Sequence, residues 1–133
     1  WGIDTGAVGG DSKNDYAWIR YADVLLAKAE ALNETGNTAG AAALVNQIRT
    51  RAKLGNLSAA QTASQSAMRA AIFEERGYEF IMEAVRRLDM IRAGTYTSAD
   101  WQFKEKKEAF RVLYPIPQGA IDANSKLTQN AGY

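Results

Sequence analysis

The sequence contains neither cysteine nor histidine. Without cysteine there is no disulfide framework and no thiol chemistry, and the redox compartment is left open. Without histidine, Ser-His-Asp and Cys-His triads, His-based zinc sites and the commonest general base all go. An excess of one charge is also lacking, since 16 basic side chains against 15 acidic ones leave a net charge of +1. Nucleic-acid-binding domains carry a basic excess on one face, so no nucleic-acid partner is expected. No apolar run reaches the length of a membrane span. The chain opens on Trp1 rather than Met, with no leader pattern and no lipidation cysteine, and is expected to be a piece of something longer or processed. Proline occurs at two positions only, Pro115 and Pro117, both in the closing segment.

What is present suits a soluble globular domain: 133 residues, 47% hydrophobic and 23% charged, enough to bury a core. Residues 1–13, WGIDTGAVGGDSK, are glycine-rich without periodicity. A phosphate-cradling loop would need a strand before its glycines and a helix after them, so a flexible segment or linker is expected. From Asp15 the pattern turns helical. Trp18, Ala22, Leu25, Ala29 and Leu32 mark one stripe, widened by Tyr21 and Leu26. Gly36 suits the left-handed position that ends a helix, and Thr38 can cap the next. That second helix carries Ala41, Leu44, Val45, Ile48 and Ala52, with Gly55 as its expected stop. So short a connection makes the two helices antiparallel neighbours.

Residues 56–66 read as a loop or weak helix. A long helix is then expected from about Ser66 to Ala93, closed by Gly94, with Phe73, Tyr78, Phe80, Ile81, Val85, Leu88 and Ile91 on its apolar face. Gly77 in its middle costs about 1 kcal/mol against Ala and marks a kink or a close approach. Residues 95–110 mix aromatics with the sign-alternating run KEKKE, which reads as a solvated face.

Five charges on the long helix, Glu75, Glu79, Glu83, Arg86 and Asp89, fall within about a third of its circumference. Glu75, Glu79 and Glu83 follow one another at i, i+4 and i+8, a mildly repulsive spacing that invites cations. Arg20, Arg49 and Arg51 on the first two helices are the candidates, giving a structural ion-pair network. A di-metal carboxylate site would want Glu-x-x-His motifs, and a calcium site a loop rich in Asp and Asn; neither is present, so no metal and no cofactor is expected. A glycosidase pair would need carboxylates facing across a cleft, which one helix face does not supply. No catalytic residue is assigned. Trp101 and Tyr96, outside the strong helices, are the candidate ligand-binding residues, because an exposed aromatic ring can stack on a sugar.

The chain closes on LYPIPQGAIDANSKLTQNAGY. Tyr114 and Ile116 precede prolines and are pushed toward extended backbone, while Pro115 and Pro117 fix their own φ. A stiff strip, one helical turn and a docked tail are expected.

These segments together carry a resemblance. IRYADVLLAKAEALNETGN with ALVNQIRTRAKLG, then IFEERGYEFIMEAVRRLDMIRAG, then the closing segment, resemble in order the C-terminal region of the SusD/RagB family. The second motif rests on Glu75, Arg76, Glu79, Phe80, Glu83, Arg86, Asp89 and Arg92. The third rests on Pro115, Ile116, Pro117, Asn124, Leu127, Gln129, Asn130, Gly132 and Tyr133. The chain departs from the family pattern at Ala84 (usually Gly), Arg87 (an aromatic) and Ala131 (Pro). The resemblance implies a mainly α fold: a tetratricopeptide-like helix pair plus a long helix, with an extended proline-containing segment docked on it. Residues 14–133 would then form the C-terminal helical domain of a longer chain.

It further implies a non-catalytic, surface-exposed lipoprotein of the outer membrane, held there by a lipid anchor outside this chain. Such a protein binds oligosaccharides or polysaccharides and hands them to a TonB-dependent transporter. The alternative is a tetratricopeptide-like adaptor that binds a peptide in the groove of the first two helices.

Overall fold

The computed structural model describes residues 5–6, 17–100 and 104–133. Helices are its regular elements, and among the described residues there is no strand. The chain divides into two compact units, Trp1–Glu79 and Phe80–Tyr133.

In the first unit, α1 (Tyr21–Glu34) and α2 (Thr38–Arg51) flank a tight turn, and α3 (Ala59–Thr62) leads into α4 (Gln65–Glu79). The pair α1–α2 packs together, and α4 lies against both. The core is Ala22, Leu26 and Ala29 of α1, Ala41, Val45 and Ile48 of α2, and Met68, Ala71 and Ile72 of α4. Small alanines let the helix axes approach, while Leu26, Val45 and Met68, each fully buried, fill the space between them. Burying Leu26 contributes about 2 kcal/mol.

The inner stripe of α1 is turned from the expected one. It runs Ala22, Leu26, Ala29, Asn33, and the helix begins at Tyr21. Arg20 is the extended N-cap, and Trp18 and Tyr21 stand 87% and 74% exposed. Asn33 is fully buried and satisfied: its amide donates to the Gln65 carbonyl (2.9 Å) and its oxygen accepts from the Thr38 hydroxyl (3.2 Å). The Gln65 amide returns a bond to the Asn33 carbonyl (2.7 Å). One side chain thereby joins the end of α1 to the starts of α2 and α4.

Three helices end in the same paired backbone pattern. After α1, Gly36 (φ +90°) and Asn37 donate to Asn33 and Leu32. After α2, Lys53 (φ +59°) and Leu54 donate to Thr50 and Arg49. The left-handed residue there is Lys53, so α2 stops before Gly55. The cap at its other end is Asn37, whose side chain accepts from the Gly40 N–H (2.8 Å), and not Thr38.

The expected helix over 66–93 is interrupted. α4 ends at Glu79, and α5 (Arg86–Arg92) starts after a turn in which Met82 (φ +68°) and Ala84 (φ +61°) are left-handed. Two such residues cannot belong to a right-handed helix. Ala84 occupies the position that reads as Gly in the resembling family pattern, which is what a left-handed backbone favours.

In the second unit, α5 closes on Gly94 (φ +70°), which with Thr95 donates to Ile91 and Met90. A 3-10 turn (Ala109–Val112), the extended strip Leu113–Pro117 and α6 (Gln118–Ala123) follow. The tail then folds back on the strip. The Gln129 amide accepts from the Ile116 N–H (2.8 Å) and donates to the Ile116 carbonyl (2.9 Å), as a neighbouring strand would. Asn130 donates to the Tyr114 carbonyl (2.7 Å) and the Tyr133 hydroxyl to that of Leu113 (2.8 Å). Gly132 (φ +99°) leaves no room for a Cβ, which would sit 2.4 Å from the Phe110 ring.

Candidate functional site

Of the three carboxylates of α4, Glu75 and Glu79 are turned inward and Glu74 is exposed. Glu75 and Arg76 are buried, on the face that also carries Met68 and Ile72, while Tyr78 is 72% exposed. The Arg49 guanidinium donates to Glu75 Oε2 (2.8 Å) and, through Nε, to the Gly55 carbonyl (2.7 Å). Glu79 lies between two cations: Arg20 bonds Oε1 (2.8 Å) and the Glu79 carbonyl (2.9 Å), and Arg51 bonds Oε2. Asp23, in the first turn of α1, pairs with Arg76 (2.8 Å). A carboxylate at a helix C-terminus opposes the helix dipole, and at Glu79 the two arginines offset it. Glu75, Glu79 and Asp23 are thus each paired with arginine inside the unit. Glu83, Arg86 and Asp89 lie beyond the break, in the second unit, with Asp89 buried and 3.8 Å from Arg92. The five charges therefore do not share one helix face.

A groove with a ligand's dimensions, lined by aromatic rings, lies in the second unit. Its volume is about 460 Å³, inside the roughly 300–1,000 Å³ span of small-ligand clefts. Tyr96, Tyr114 and Tyr133 line it together with Lys104, Lys107 and Arg111. Each aromatic is fixed by a different device. The Tyr96 N–H donates to the Met90 carbonyl (3.1 Å) at the end of α5. Tyr114 belongs to the proline-stiffened strip. Tyr133 is held by its hydroxyl bond to Leu113 and an edge-to-face contact with Phe110 (centroids 4.9 Å apart).

Arg87 braces the groove. Its guanidinium carbon is 4.1 Å from the Tyr114 ring centroid and 5.0 Å from that of Tyr96, and it donates to the Val112 carbonyl (2.7 Å). A planar cation therefore stands where the family pattern has an aromatic and stacks on rings as an aromatic would.

Of the two aromatics read from the sequence as ligand candidates, Tyr96 is in the groove and Trp101 lies outside the described residues. Tyr114, Tyr133, Lys104, Lys107 and Arg111 of the groove, and Arg87 beside it, were not among the ligand candidates. The departure at Arg87 was their one sequence signal. Among the described residues, no group of His, Cys, Asp and Glu could hold a metal ion.

Comparison with known proteins agrees with the motif order. The family model described as the SusD family matches residues 3–133. SusD-like protein P2 of Formosa agariphila is 39% identical over 122 residues, which are 87% of this chain and 22% of that protein. Starch-binding protein SusD of Bacteroides thetaiotaomicron is 29% identical over 127 residues, 90% of this chain and 22% of its own length. Among solved structures, a SusD superfamily protein from Bacteroides vulgatus aligns with a TM-score of 0.73 at 31% identity, covering 87% of this chain and 27% of that one. A SusD-like protein from Bacteroides fragilis gives 0.71 at 29% identity, covering 87% and 25%. The chain thus spans about a quarter of the length of the proteins it matches.

Proposed function

Because the chain belongs to the SusD/RagB family, we propose that it is the C-terminal part of a surface-exposed outer-membrane lipoprotein that binds glycans. It delivers oligosaccharides to a TonB-dependent transporter and does not act on them chemically. The linker read over residues 1–13 lies, apart from residues 5–6, outside the described residues. The observation that carries this reading is the family match across residues 3–133, and one relative, a starch-binding protein, supports a glycan as ligand. The groove adds what a sugar needs, rigid tyrosine faces beside hydrogen-bond donors. In this reading Tyr96 contacts the ligand, as does Trp101, while the inward charges of α4 are scaffold.

The peptide-adaptor alternative draws no support from α1 and α2. Their alanine-rich faces are buried against each other and α4. The test is affinity electrophoresis of the intact protein through gels containing a panel of neutral and acidic polysaccharides. Retardation by at least one polysaccharide, without release of reducing ends, is expected. Free migration through the whole panel, or steady reducing-end release, would overturn the reading.

A further inference from the structure

The cations of the groove are selected, not scattered. The sequence KEKKEAFR alternates in sign, yet Lys104, Lys107 and Arg111 line the groove while Glu105 and Lys106 do not. Glu108 lines an adjoining depression with Lys106 and does not line the groove itself, while Lys107 and Arg111 border both. Among the described residues none of the three cations is ion-paired with a carboxylate: Lys104 meets the backbone carbonyls of Ala99 and Glu105 and the Tyr96 ring, and Arg111 the Phe110 ring. Elsewhere in this chain arginines are matched to acids, at Arg20, Arg49, Arg51, Arg69 and Arg76. The local excess therefore stands out in a chain whose net charge is only +1.

Donor and acceptor chemistry narrows the ligand. Lysine and arginine only donate, so the side-chain acceptors of the groove are three phenol oxygens, and the Tyr133 hydroxyl spends its proton on the Leu113 carbonyl while its oxygen can still accept. A neutral sugar, whose hydroxyls donate as well as accept, leaves such a donor set partly unused. A carboxylate or sulfate is all acceptor and suits such a donor set, Arg111 offering a two-pronged fork, while the sugar ring stacks on a tyrosine.

We propose that the groove formed by Tyr96, Tyr114, Tyr133, Lys104, Lys107 and Arg111 binds an anionic glycan, one bearing uronate or sulfate groups. The assignment rests on the glycan-binding reading above and names its substrate class.

The test is titration of the intact protein with polygalacturonate, dextran sulfate and unmodified dextran at one fixed ionic strength. Two double variants of equal charge loss are compared, K107Q/R111Q in the groove and K28Q/K126Q outside it. Thermal melts verify that both are folded. At least one charged polymer is expected to bind, and the tighter of the two identifies the anion. K107Q/R111Q should weaken it by roughly tenfold or more, given the usual worth of hydrogen bonds to charged groups. K28Q/K126Q should stay within about twofold, the limit for screened surface charges. Equal losses in both variants would mean bulk charge attraction only and overturn the proposal. Binding of dextran but of neither charged polymer would also overturn it, while leaving the glycan-binding reading intact. Failure of all three polymers would overturn it too, and the neutral and acidic panel above then decides the broader reading.

Discussion

At the scale of single residues, the first unit depends on polar side chains that are buried and fully partnered. Removing the Arg49 side chain leaves Glu75 charged and buried without its cation, so Arg49→Met should destabilise by about 3 kcal/mol. Arg49→Met with Glu75→Leu should recover most of that loss, since an apolar pair of similar size is often neutral or better. Urea unfolding midpoints of both variants check this. Asn33→Ala strands the Gln65 carbonyl, the Thr38 hydroxyl and a small cavity, and should cost about 2 kcal/mol by the same measurement. The exposed pair Glu34–Arg69 behaves differently. The hydrogen bond from Arg69, with its charge, holds the Glu34 carboxyl below the ordinary carboxylate range. Its contribution is therefore present above that range and disappears as pH falls through the lowered folded value. Arg69→Ala should show a small gap from the parent protein at pH 7 that closes in acid. The charges on α4 were visible from their spacing, and so were the arginines that meet Glu75 and Glu79. That they face inward was not, because a helical period does not say which of two stripes is buried when one stripe carries its own counterions.

At the scale of elements, a helix end was legible where a glycine marks it. Gly36 and Gly94 sit where a left-handed cap needs them. Lys53, Met82 and Ala84 adopt the same backbone without glycine, and nothing in their side chains announces it. For that reason α2 was read as continuing to Gly55, and α4 and α5 as one helix. Ala84→Gly should stabilise the protein by about 1 kcal/mol, since it removes the left-handed penalty where the φ is already set. The thermal midpoint should rise, and a fall would mean the turn is not held as described. The closing segment was the most readable element. Two prolines keep Ile116 extended, and that exposes the N–H and carbonyl that Gln129 grips. Gln129→Ala should raise the amide exchange rate of Ile116 and of the tail residues after Gln129 without changing exchange in α1 or α2.

At the scale of the whole molecule, the family was legible from three motifs in order, because each is tied to a structural need: ion pairing inside the helical unit, a cap, and a tail clamp. The groove was not legible. Its rings come from the end of α5, from the proline strip and from the tail, and its cations from a run whose alternating signs conceal which charges share a surface. Arg87, between two of those rings, carries the same message at one position. Arg87→Lys keeps the charge but loses the planar stack, and should lower stability by about 1 kcal/mol and weaken glycan binding together. The most direct measurement is hydrogen exchange of the intact protein with and without a saturating retained polysaccharide. The account predicts slowed exchange in peptides covering Tyr96 and Lys104–Tyr114, with α1 and α2 unchanged. Protection that leaves both of those peptides untouched would contradict it, and would make this chain scaffold alone.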